Sequence, residues 1–216
     1  MNNQLTKPIL RTRDKIVESA RELFFAQGFA TTSIADILKR SRVNSGSLYY
    51  FFRTKEQLLV AVLEKYKTML EPMVLAPAYQ RTTDPIERLF AVLEGYRRLL
   101  AATDFRLGCP IGNLALETSN SHPRIRKLVV ENFEAWRAAI RELLERARER
   151  LTPELNSDAL AHFVLVTMEG SVLLARAYHN FEPFDSAVAT LREYFDRLAA
   201  GSPARSAPQP SNNRKS

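Results

Sequence analysis

Apolar positions recur at helical spacing along almost the whole chain. Between residues 13 and 27, Ile16, Val17, Ala20, Leu23 and Phe24 share one face, the spacing of an amphipathic helix. Gly28 is a C′ stop, and Phe29 just beyond it can fold back on the last turn. Ile34, Ile37 and Leu38 mark a second, shorter helix. Thr32 or Ser33 caps it, and Asp36 stands in the capping-box position relative to Ser33. Ser41-Arg42 is a turn pinned by Val43, and Asn44 opens a third short helix through Leu48 to about Tyr50. Thr54-Lys55-Glu56-Gln57 is a further capping box. It opens a longer helix through Leu58, Leu59, Val62, Leu63 and Tyr66, disrupted at Pro72. Residues 72–83, with Pro72, Pro77 and Thr82-Thr83, predict a loop.

The later pattern is equally helical. Asp84 at N-cap and Pro85 at N1 open a helix with the stripe Ile86, Leu89, Phe90, Leu93, Tyr96, Leu99 and Leu100. Residues 105–110 break it, and a short helix follows over 111–117. Ser121-His122-Pro123 begins a long helix with Ile125, Leu128, Val129, Phe133, Trp136, Ile140, Leu143 and Leu144 on one face. Asn156 or Ser157 caps a helix reaching about Tyr178, and Pro183-Phe184-Asp185 precedes one that runs to about Ala200. The first of this pair is apolar on more than one side, so it needs burial on two faces. Its run 159–175 contains His162 and Glu169, which marks a core helix and not a membrane span. No membrane partner is expected. The fold class is therefore all-α. Residues 1–10 lack helical periodicity and are expected to be a flexible arm, and residues 201–216 a disordered low-complexity tail.

The stretch 32–57 carries the functional signal. Two helices this short, joined by so tight a turn, cannot bury a core alone, whereas a helix-turn-helix uses the first as a brace and the second in a DNA major groove. The second presents Asn44, Ser45, Gly46 and Ser47 at its start. Small side chains let a helix end approach base edges, and the helix dipole favours nearby phosphate. Tyr49, Tyr50, Arg53 and Lys55 follow, suited to backbone contacts. Charge agrees with this placement. The chain carries +7 overall, and residues 1–55 hold ten Lys/Arg against four Asp/Glu, as expected of a surface that displaces counterions from DNA. Arg11, Arg13 and Lys15 can reach phosphate or the minor groove, as basic arms do.

Residues 13–60 resemble the DNA-binding domain of the tetracycline-repressor (TetR) family of bacterial transcriptional regulators. The likeness runs through RDKIVESARELFFAQGFATTSIADI, VNSGSLYYFF and TKEQLL. It implies a three-helix head over 11–55 and a helical effector-binding and dimerisation domain over 56–200, with the long helix after Thr54 carrying ligand-induced movement to the heads. It implies operator reading by Asn44, Ser45, Gly46, Ser47, Tyr49 and Tyr50, and phosphate contacts from Thr32 and Lys55. Two positions depart from the family pattern: Leu38 stands where a small residue is usual, and Arg42 where a turn glycine is usual. Arg42 must therefore take a left-handed conformation or use a modified turn.

The expected partners are palindromic double-stranded DNA, a small-molecule effector and a second copy of the chain. Candidate effector walls are Phe90, Tyr96, Phe105, Phe133, Trp136, Phe163 and Met168, with Cys109, Asn113, Glu117 and Glu169 as orienting polar groups. The bland alternative is that such aromatic stripes only pack. Candidate dimer contacts are Gly170, Ser171, Leu174, Leu191, Phe195 and Leu198, on the last two helices. Cys109 follows a glycine at a helix start, where the dipole can lower a thiol pKa, so an electrophile or redox sensor of the same fold is an alternative. A helical protein-interaction module without specific DNA binding is another. His122, His162 and His179 share no metal spacing with Cys109, and no phosphate loop or nucleophile elbow occurs. No enzyme, metal or cofactor is expected. The single cysteine and the polar first residues predict a cytoplasmic protein.

Overall fold

The computed structural model describes residues 3–118, 123–153 and 155–200, and residues 3–10 by their backbone alone. The expected disordered tail and the Ser121-His122 opening of the long helix lie outside these residues. The described residues are helical, with no strand among them.

Helix α1 (Asn3–Gln27) starts earlier than the periodicity predicts, since the backbone is already helical where a flexible arm was expected. It ends at Gly28, whose φ of 91° only glycine adopts without strain. Helix α2 (Ile34–Ser41) opens on a full capping box: the Ser33 hydroxyl accepts from the Asp36 N–H, and the Asp36 carboxylate accepts from the Ser33 N–H. Arg42 closes α2 in the left-handed region at φ 55°, donating its N–H to the Leu38 carbonyl at 3.0 Å. Helix α3 (Ser45–Phe51) begins at Asn44, whose Oδ1 accepts from the Ser47 N–H at 2.8 Å. Ile16, Ala20 and Phe24 of α1, Ile37 of α2 and Leu48 of α3 interlock beneath the turn.

Helix α4 (Lys55–Leu70) leaves this head with Leu58, Leu59, Val62 and Leu63 fully buried. Pro72 does not end the helical path, which corrects the expected loop. The backbone widens into a π turn over Glu71–Leu75 and continues as α5 (Ala76–Tyr79). A π turn absorbs the proline's missing N–H without reversing the chain.

Helices α6 (Pro85–Ala102), α7 (Pro110–Thr118), α8 (Pro123–Arg146), α9 (Ser157–Tyr178) and α10 (Glu182–Ala200) complete the fold. Helix α8 is the central strut, packed on α4, α6, α7 and α9, and α10 lies against α9. Helix α9 is the one helix among the described residues long and apolar enough to cross a membrane. Burial accounts for one side of it, where Leu160, Val164, Met168, Val172 and Ala175 lie in the core, while Phe163, Val166, Leu173, Leu174 and Tyr178 stand exposed on the other.

Candidate functional site: the motif face and the cavity beneath it

The α3 end of the head presents Asn44, Ser45, Gly46, Tyr49 and Tyr50 to solvent, with Ser47 half-buried. Tyr50 is 77% exposed and Tyr49 51%, unusual for residues of this size. Leu48 points the other way and is 1% exposed, so it ties the helix to the core while its neighbours stay free. Asn44 already spends its carbonyl oxygen on the cap. Arg53 is exposed, and its backbone N–H donates to Gln57 Oε1.

Two of the nine candidate DNA contacts are engaged inwards. Thr32 is 1% exposed and its hydroxyl donates to the Gly28 carbonyl at 2.7 Å. Lys55 donates to the carbonyls of Phe29 at 2.9 Å and Thr32 at 3.0 Å, with the Phe29 ring 4.4 Å away. Both side chains lock the α1–α2 connection. The carbonyls left open past the end of α1 are a stronger pull on a nearby ammonium than solvent.

A cavity of about 390 Å³ lies directly beneath the head. Its floor is Val92, Tyr96, Leu99, Ile111 and Trp136; its other wall is Tyr66, Leu70, Met73, Val74 and Pro77 from α4, the π turn and α5. Arg21 and Phe25 reach it from α1, so the head itself supplies part of the wall. Of the eleven candidate effector residues, the cavity gathers Tyr96, Cys109 and Trp136. Phe90 instead packs edge-on against Phe195 at 5.8 Å, under the Arg192 guanidinium. Phe105 closes the α6–α7 corner against Phe181 and His179. Phe133 packs at the edge of the core, Met168 is inside it, and Phe163 is 51% exposed on the outer face of α9. Helical stripes told which faces are apolar but not which neighbours they meet. The Tyr66–Pro77 wall was missed because Pro72 reads as a break; the apolar run Met73-Val74-Leu75 was the available signal.

The polar candidates divide in the same way. Asn113 accepts from Arg176 at 2.6 Å, outside the cavity. Glu117, near the far end of α7, accepts from the Ala30 N–H at 2.9 Å and packs on Gly28, where an added Cβ would meet its Oε1 at 2.9 Å. Helix α7 therefore runs from the cavity wall at Cys109 and Ile111 to the α1–α2 connection of the head. Glu169 stands behind Cys109, and its oxygen Oε1 is buried and unpartnered. Burial raises the Glu169 pKa. Burial also raises the Cys109 thiol far above its ordinary value, reinforced by Glu169. This reverses the expected depression by the helix dipole, because desolvation of a thiolate outweighs two backbone N–H bonds.

The candidate dimer contacts are also redistributed. Leu191 and Phe195 are each 2% exposed and belong to the chain's own core. Ser171 is buried, its hydroxyl donating to the Met168 carbonyl at 2.9 Å, and Leu198 packs half-buried against the core. Leu174 is exposed, and an added Cβ on Gly170 would meet nothing within 4 Å. Around them Phe163, Val166, Leu173 and Tyr178 of α9 and Tyr194 of α10 form an exposed apolar strip.

Residues 16–62 match the profile described as bacterial regulatory proteins, tetR family, and residues 85–190 that of the transcriptional regulator LmrA/YxaF-like C-terminal domain. The HTH-type transcriptional regulator LmrA of Bacillus subtilis is 31% identical over 173 residues, covering 80% of this chain and 90% of that one. The HTH-type transcriptional repressor DhaR of a Mycobacterium species is 25% identical over 183 residues, covering 84% and 90%. A TetR transcriptional regulator crystal structure from Chloroflexus aurantiacus superposes with a TM-score of 0.76 at 30% identity, covering 89% of this chain and 98% of that one. A capped helix-turn-helix on a helical domain, with a family profile matched in each half, leads to one assignment: the chain belongs to the TetR family of DNA-binding transcriptional regulators.

Proposed function

We propose that this regulator is a homodimeric repressor that leaves a palindromic operator when a small, largely apolar effector fills the cavity beneath the head. One observation carries the effector reading: Arg21 and Phe25 of α1 share the cavity wall with α4, the π turn, α6 and α8. A ligand there touches the helix on which α2 and α3 are packed, so it has a direct means of favouring one head placement over another. The name of the repressor DhaR supports the sign of regulation. The exposed strip on α9 and α10 supports the dimer, because two half-sites need two heads related by a two-fold axis. The buried, protonated Cys109 favours reversible binding over covalent sensing.

On α3, Asn44, Ser45, Gly46 and Ser47 read bases, while Tyr49, Tyr50 and Arg53 hold the backbone. A site selected from random duplexes should be an inverted repeat, bound with steep salt dependence. Replacing Ser45 and Ser47 together by tryptophan should abolish selection of that site while the thermal transition stays in place. Unchanged binding by that double variant would sink the α3 assignment. Operator release by apolar compounds, followed by fluorescence anisotropy, tests the effector reading.

A further inference from the structure

The charged groups of the cavity are all of one sign, set among the neutral polar side chains Tyr66, Tyr96, Cys109 and Asn132. Its charged lining residues are Arg21, Lys67 and Arg98, with no Asp or Glu among the described residues that line it; Lys67 pairs with Glu131 at 2.7 Å and Arg98 with Glu94 at 3.8 Å, both acids outside the lining. Arg21 is the least exposed of the three, with 17% of its side chain accessible. Its Nε donates to Glu18 at 3.0 Å, and the same carboxylate also serves Lys65 at 3.0 Å. Two cations thus share one anion, leaving an excess positive charge at the head side of the cavity. Beside it, the Tyr66 hydroxyl is buried with no hydrogen-bond partner. The Arg21 guanidinium stands 5.9 Å from the Tyr66 ring centroid. An unpartnered buried hydroxyl is a cost that folding usually avoids, and here it lies in the wall of a largely apolar chamber. Trp136, Leu99, Val92 and Met69 of the lining offer an apolar bed.

We propose that the effector is an apolar monocarboxylate, its carboxylate taken by the Tyr66 hydroxyl and the Arg21 guanidinium and its aliphatic or aromatic body lying over Trp136 and Tyr96. This rests on the effector reading above and specifies its chemistry. It also names the point of regulation. A carboxylate beside Tyr66 competes with Glu18 for Arg21, and Arg21 belongs to α1, so recognition of the anion redistributes the ion pairs that hold the first helix of the head. Charge-assisted bonds of this kind are short and strong in a partly desolvated site.

The test uses full-length protein, with octanoate and phenylbutyrate set against their uncharged amides. Trp136 is the only tryptophan in the chain and lines the cavity, so its fluorescence reports occupancy without DNA. The carboxylates should bind about tenfold tighter than the amides, as expected for a hydrogen bond to a charged group. Tyr66→Phe removes only the unpartnered hydroxyl, so it should keep the fold and erase most of that preference. Arg21→Gln should erase it as well. Amides bound as tightly as carboxylates, a preference that survives both variants, or no binding by any of the four compounds would each overturn the anion assignment. Operator release by the amides would then show that the effector reading survives it. Conversely, carboxylates that bind with the expected preference yet never release the operator at saturation overturn the effector reading and leave the anion site standing.

Discussion

Arg42 shows how much a single position reveals before any coordinates. The family pattern has a glycine at this turn, so Arg42 either turns left-handed or modifies the turn, and the backbone at Arg42 has φ 55° with its N–H donating to the Leu38 carbonyl. An L-residue there sacrifices about 1–2 kcal/mol of backbone preference, and Arg42 accepts the strain without a modified turn. Glu18 is only half legible along the chain, since Arg21 is one helical turn away but Lys65 arrives through the fold. The Arg21 and Lys65 cations hold its carboxyl at about 2, below its ordinary 4.5. A depressed carboxylate stabilises the fold above the unfolded value and loses that contribution as pH falls from about 4.5 towards about 2. Glu18→Gln should therefore lower the melting temperature at pH near neutral, and the gap between variant and wild type should close in acid. Parallel melting curves across that range, with a constant gap, would show that the pairing adds no stability. The side chain is about a third exposed, so solvent screening keeps the effect modest.

At the scale of elements, the joint between α1, α2 and α4 decides what Lys55 does. Its position at the start of α4 matches a phosphate contact in the family pattern, yet its ammonium bonds the carbonyls of Phe29 and Thr32. Lys55→Met should lower stability measured without DNA by about 1–2 kcal/mol, the scale of hydrogen bonds from a charged donor. Arg53→Met, on an exposed side chain two residues earlier, should stay within about 0.5 kcal/mol. Equal, negligible losses in denaturant unfolding would return Lys55 to the list of pure phosphate contacts. The π turn at Glu71–Leu75 is the second decisive element. By keeping the path helical past Pro72 it brings Met73, Val74 and Pro77 over the cavity, where a free loop would have left the chamber open.

At the scale of the molecule, the outer face of α9 is the largest feature that one chain leaves unexplained. Phe163, Val166, Leu173, Leu174 and Tyr178 stand exposed along it, with Tyr194 of α10 packed edge-on against Phe163 at 5.9 Å. Large exposed apolar strips commonly serve association between chains, and this one is the basis of the proposed dimer. Gly170 lies within it, and a side chain added there meets nothing in its own chain. Gly170→Glu should consequently leave the helical spectrum intact but place an unpaired charge between two copies. Sedimentation should show the wild type as a dimer at micromolar concentration and the variant as a monomer. A wild-type monomer, or a variant that dimerises as well as its parent, would remove the α9 strip from the interface.

Apart from the π turn and α5, which Pro72 concealed, the order of helices, their caps, the helix-turn-helix and the basic head were readable along the chain, because each depends on residues within a turn or two of one another. Ser33 with Asp36, Asn44 with Ser47 and Thr54 with Gln57 are bonds between near neighbours, and the helical period needs no partner to be seen. What only the tertiary structure decided is which apolar face meets which. Leu191 and Phe195 have the same periodicity as an interface residue, but α10 turns them into the chain's own core and leaves Leu174 and Tyr194 outside. Phe90 and Trp136 read alike as stripe aromatics, yet one packs under Arg192 and the other lines the cavity. The proximity of Arg21 to Tyr66, and of Glu117 to Ala30, joins residues far apart in sequence. Such contacts follow from how helices cross, which the angle and depth of packing determine and local spacing does not.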